Sequence, residues 1–83
     1  MRMKEDLVFK IRERITDHAV ERYRERVSMT DTGIVRTEMA ELMAMAKPKH
    51  LRGLWKGKNT AMIPTSACIF VCSEGKIVTV LQR

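Results

Sequence analysis

The hydrophobic positions change their period twice along the chain. Leu7, Phe9, Ile11 and Ile15 recur mostly at every second residue, which predicts a strand, although Leu7, Ile11 and Ile15 also fit an i, i+4 stripe. Thr16 then offers an N-cap oxygen and Asp17 a favourable charge, and Ala19, Val20, Tyr23 and Val27 follow at helical spacing, so a helix is expected over about Asp17 to Val27. After a polar break from Ser28 to Thr32, Val35, Met39, Leu42, Met43 and Ala46 form a second core-facing stripe, with Pro48 as its stop. Met39, Met43 and Met45 read as core filler rather than as a partner groove.

Beyond Pro48 the pattern turns to short apolar runs separated by turn residues. Leu51 to Trp55 is expected to pair with Thr60 to Ile63 across Lys56-Gly57-Lys58-Asn59, with Pro64-Thr65-Ser66 as the next corner. Ala67 to Cys72 and Ile77 to Gln82 flank a hairpin turn in which Gly75 can take positive φ. A two-residue Glu74-Gly75 turn would pair Cys72 with Ile77, Val71 with Val78, Phe70 with Thr79 and Ile69 with Val80. The expected fold class is α+β: two N-terminal helices packed on an antiparallel sheet of about four strands, in one domain over residues 1–83.

Length supports the single domain, since 83 residues suffice for only a small core. With 45% apolar residues and no long uncharged apolar run, the chain reads as a soluble globular domain, and the N-terminal stretch lacks the apolar core of a secretory signal. A cytoplasmic location is the resulting expectation, with no membrane partner. Cys68 and Cys72 stand four apart on one expected strand, about 13 Å from each other and so beyond disulfide reach. With His18 and His50 far from them in sequence, no metal spacing forms; the thiols are expected to be buried and reduced, and no cofactor is expected.

Charge is what sets one segment apart. The net charge of +6 divides into +2 over residues 1–27, −2 over 28–46, +5 over 47–58 and +1 over 59–83. Lys47, Lys49, Arg52, Lys56 and Lys58 carry that +5 with no acidic residue among them, and His50 and Trp55 interleave. Such a stretch suits a polyanion, with Trp55 as a stacking ring, or else a solvated loop with one core tryptophan. A second candidate lies on the first predicted helix, where His18, Arg22 and Arg26 form a stripe roughly 12 Å long. Metal-free phosphodiester cleavage needs a proton-transfer group and cations for the phosphorane, and this row supplies both. Glu21 and Glu25 could equally pair with its arginines to make an ordinary solvated face. No Walker loop, zinc motif or Gly-x-Ser-x-Gly elbow is present.

The run Ile15-Thr16-x-His18-Ala19-x-x-Arg22-x-x-x-Arg26-Val27, followed by a second helix and a closing Lys76-Ile77-Val78-Thr79-Val80-Leu81 strand, resembles the colicin D/RelE-like ribonuclease superfamily. The nearest-looking branch holds short bacterial and phage proteins, some of them toxins related to BrnT. The resemblance covers most of the chain and implies a helix pair on an antiparallel sheet and, in toxin members, metal-independent RNA cleavage. It further implies His18 as general acid/base, Arg22 and Arg26 as phosphate-binding cations and Thr79 as a polar group on the open sheet face. Where toxin members commonly place a late His, Lys or Tyr, this chain has Thr79, Lys76 and Arg83, and His50 is the substitute it offers.

The expected function is therefore that of a small RNA-directed protein, a metal-independent endoribonuclease of toxin or phage type. His18, Arg22, Arg26 and Thr79 are its candidate catalytic residues, and Lys47, Lys49, His50, Arg52, Trp55, Lys56, Lys58 and Arg83 its candidate RNA contacts. Two alternatives share the same electrostatics: a noncatalytic nucleic-acid-binding regulator, and an interaction protein that meets an acidic antitoxin-like or host protein.

Overall fold

The computed structural model describes residues 2–27, 29 and 31–83. Four helices precede a three-stranded sheet: α1 (Arg2–Arg12), α2 (Asp17–Arg26), α3 (Thr32–Ala44), α4 (Pro48–Trp55), β1 (Ala61–Pro64), β2 (Cys68–Ser73) and β3 (Lys76–Gln82). The α+β class and the antiparallel sheet agree with the sequence; the element count differs. Among the described residues no helix is long and apolar enough to cross a membrane.

Two segments expected as strands are helical, the first as far as Arg12, beyond which Ile15 forms a single parallel bridge with Ile77. In residues 7–15 the i, i+4 stripe prevails over the period-two reading, because Ile11 and Ile15 are buried, Leu7 is half-buried and Phe9 is left 59% exposed where a strand would have aligned it with them. Leu51 to Trp55 belongs to α4. Pro48 does not stop the preceding helix, which ends at Ala44, but opens the next one from its first turn, where its missing N–H costs nothing. Of the predicted polar break, Ser28 and Thr30 lie outside the described residues.

The strands run in the order β1-β2-β3, all antiparallel. Glu74 and Gly75 both take positive φ, 52° and 80°, as a tight two-residue hairpin demands, and Cys72 faces Ile77 as expected. Beyond that pair a bulge inserts Val78, so Val71 faces Thr79, Phe70 faces Val80 and Ile69 faces Leu81. The expected Phe70–Thr79 pairing is thereby corrected by one residue. One face of the sheet carries Ile63, Cys68, Phe70, Cys72, Ile77 and Val80, all buried; the other carries Met62, Ile69, Val71, Thr79 and Leu81, partly or largely exposed.

Helix α2 packs on the buried face along β3, with the Tyr23 ring stacked on Phe70 at 6.1 Å between centroids. Helix α4 packs at the opposite edge, on β1, and α3 joins α2 to α1. Close approach of α4 to β1 requires Gly53, since a Cβ there would stand 2.5 Å from that of Ala61. The linker between α1 and α2 seals the outer edge of β3: Ile77 donates to the Arg14 carbonyl at 2.8 Å, and its own carbonyl accepts from the Thr16 N–H at 3.1 Å and hydroxyl at 2.8 Å. That hydroxyl also caps α2 by accepting from the Ala19 N–H at 3.2 Å. Arg36 of α3 ties the same linker down through the Ile15 carbonyl and the Asp17 carboxylate.

Candidate nucleic-acid interface

The cationic segment folds into α4 and the turn after it, which settles where its charges point. Lys49, Arg52 and Lys56 fall at i, i+3 and i+7 and share one helical face, while Leu51, Gly53 and Leu54 turn inward. Together with Lys58 from the turn and Ala61 and Met62 from β1, that face walls a groove of about 350 Å³. Among the described residues, no carboxylate pairs with Lys47, Lys49, Arg52, Lys56 or Lys58. Their mutual repulsion is thus unrelieved within the chain, and an anion laid in the groove would relieve it. Lys47 sits at the N-cap without a side-chain cap, where a cation opposes the helix dipole and an external anion is favoured.

His50 lines this groove and also a second one, of about 500 Å³, between the end of α3 and the β1–β2 corner. Lys47 and Arg83 reach the second groove as well, and Arg83 is held there by donating to the Thr65 carbonyl at 2.7 Å. Lys47, Lys49, His50, Arg52, Lys56, Lys58 and Arg83, which the sequence pointed to, therefore surround two adjoining grooves. Trp55 does not join them. It is 39% exposed on another side of α4, facing α1, where the Arg14 guanidinium lies over its ring at 5.2 Å and Leu7, Lys10 and Glu13 line the same hollow.

The row on α2 is differently built. His18 is exposed in the first turn, and its Nε2 accepts from Arg22 Nε at 3.4 Å, while Arg22 Nη1 is paired with Glu25 at 2.7 Å. Arg26 donates to the Val80 carbonyl at 2.7 Å, latching the helix to the edge of β3, and Gln82 returns a bond of 3.2 Å to the Arg26 carbonyl. Thr79 is on the sheet face that α2 does not cover, whereas α2 lies against the Phe70 side, so the four candidate catalytic residues are not brought together: His18 and Arg22 stand apart from Thr79. The bulge at Val78, unreadable in a local pattern, put Thr79 there.

Sequence reasoning singled out only Lys47, His50 and Arg83 of the second groove and missed, among others, Met45, Pro64, Thr65 and Ser66. Met45 is 74% exposed, against the expectation that it fills the core with Met39 and Met43. Its sequence did hold a signal, because it falls off the Val35-Met39-Leu42-Met43-Ala46 stripe. The cysteines are free and buried as expected. Burial pushes both thiols up, Cys72 to about 11, which keeps them protonated and poor nucleophiles near neutral pH. No three His, Cys, Asp or Glu side chains gather as a metal site among the described residues. In comparison with known proteins, no family model, curated protein or solved structure matches this chain, so the interface rests on its own geometry.

Proposed function

We propose that the protein binds RNA along α4, with the phosphodiester backbone in the groove walled by Lys49, Arg52, Lys56 and Lys58. The observation that carries this reading is that five cations crowd one helix and its flanks with no carboxylate partner, around a groove open to solvent. Backbone contacts of that kind supply sequence-independent affinity through counterion release.

Metal-independent cleavage is the second, separable part of the proposal, and it rests on the family resemblance and on His18. The exposed His18 ring turns Nε2 toward the Arg22 guanidinium at 3.4 Å, so a proton-transfer group and a cation stand side by side. In such a reaction His18 takes the proton of a 2′-hydroxyl as its oxygen attacks phosphorus; the 5′-oxygen leaves and takes a proton from water, while Arg22 stabilises the phosphorane. Incubating labelled RNA with the protein in EDTA tests both parts. Wild type should cut, and His18→Ala should lower cleavage by about 100-fold with RNA affinity and melting temperature nearly unchanged. Tight binding without cutting would leave the noncatalytic regulator in its place. Absence of binding, with capture of an acidic protein instead, would favour the interaction-protein reading.

A further inference from the structure

The two grooves that meet at His50 differ in chemistry. The α4 groove is a bank of cations; the second offers Met45 and Pro64 as apolar walls, the exposed Ser66 hydroxyl, and two flat groups, the His50 ring and the Arg83 guanidinium, while the Thr65 hydroxyl is turned inward to Cys68. No described acidic side chain lines either one. A phosphate chain needs only the first. Flat groups beside apolar walls and a hydrogen-bonding hydroxyl are what an unstacked base needs, since bases stack on His and Arg planes and are read along their polar edges. Arg83 is suited to this, because its bond to the Thr65 carbonyl fixes one edge of the guanidinium and so orients the plane.

We infer that the groove between the end of α3 and the β1–β2 corner is a nucleobase subsite, which receives one splayed base of a single-stranded RNA whose phosphates run along α4. The inference rests on the RNA-binding reading above and extends it from a charge to a substrate class. At about 500 Å³ the groove lies within the range of small-ligand sites, and its continuity with the cationic groove through His50 supplies the occupant. A duplex keeps its bases stacked and paired, so it can offer phosphates to α4 but no base to this corner.

Fluorescence anisotropy with three labelled probes of equal phosphate number tests the inference: a single-stranded RNA octamer, an abasic ribose-phosphate octamer and a short RNA duplex. Wild type should bind the single strand about 10-fold more tightly than the abasic chain, with the duplex close to the abasic value. Met45→Ala/Ser66→Ala, at two exposed positions whose substitution should leave the melting temperature unchanged, should bring single-stranded and abasic affinities within about 2-fold while leaving the abasic affinity as it was. Equal wild-type affinity for the single strand and the abasic chain would overturn the base subsite and leave the α4 groove standing. A preference retained in the double variant would place base recognition elsewhere, and tighter duplex binding would likewise overturn it. Failure to bind any probe would remove the RNA reading and the subsite together.

Discussion

Helices α2 and α4 both display arginine or lysine in helical register, and they put that charge to opposite uses. On α2, Arg22, Arg24 and Arg26 stand among Asp17, Glu21 and Glu25, and the helix is electrically neutral overall. Arg22 is paired with Glu25 and Arg26 is bound to a strand carbonyl. On α4 and its flanks no acidic residue intervenes, and the side chains project from the helix without a protein acceptor. The first arrangement holds the fold together; the second is an unfinished electrostatic arrangement. Counting cations does not distinguish them, but asking where each donor is satisfied does.

The sharpest way to break this comparison is to neutralise each helix in turn. Lys49→Ala/Arg52→Ala/Lys56→Ala should weaken RNA binding by about 100-fold at low salt and flatten the slope of log K against log salt by about two to three units. Arg22→Ala, which removes a cation already paired, should change affinity by less than about 3-fold. Salt titrations of both proteins decide it, and equal losses would erase the distinction.

A packing change sharpens the comparison from the other side. Gly53→Ala drives a methyl into Ala61 and should cost about 2 kcal/mol by displacing α4 from β1, with RNA affinity falling as the groove opens. Adding Ala61→Gly should restore much of both, and thermal denaturation with a binding isotherm reads them in one series. No restoration would mean that the contact does not set the groove.

The smallest expected effect concerns pH and leaves both helices intact. Cys72 is raised by burial to about 11 from an ordinary value near 9, so the folded protein retains a thiol proton that the unfolded chain releases. Its contribution is complete below pH 9 and is lost as pH rises toward 11. Cys68 and Tyr23 are also raised, both by burial first, and act in the same direction. Melting temperature should therefore fall over that interval, and less steeply in Cys72→Ala; an equal fall would assign the alkaline loss to other groups.

How much of this could be read from the sequence depends on whether a residue's fate was decided nearby. The Thr16 cap, the helical spacing of Ala19, Val20 and Tyr23, and the Glu74-Gly75 turn are local features, and each is where the sequence put it. Leu51 to Trp55 has the apolar content of a strand, yet Pro48 at a first turn and the fit of Gly53 against Ala61 make it a helix, and the second of these is a tertiary fact. The candidate interface followed the same rule. The cluster of lysines was visible, whereas the removal of Trp55 to the α1 side and the arrival of Thr65, Ser66 and Arg83 beside His50 required the packed chain. Thr79 changed its pairing through a single bulge, which no alternation pattern announces.

The sealing of β3 by the α1–α2 linker also governs when the molecule can form. Ile15 bridges Ile77, and Arg26 reaches Val80, so the first third of the chain finds its hydrogen-bond partners in the last strand. On the ribosome, α1 and α2 emerge before the surface on which α2 rests, and Tyr23 must wait for Phe70. Early helices can fluctuate locally during that interval; the tertiary structure closes only after β3 is free. Folding should thus be late and cooperative rather than progressive, with the slow loop closures characteristic of contacts between sequence-distant residues.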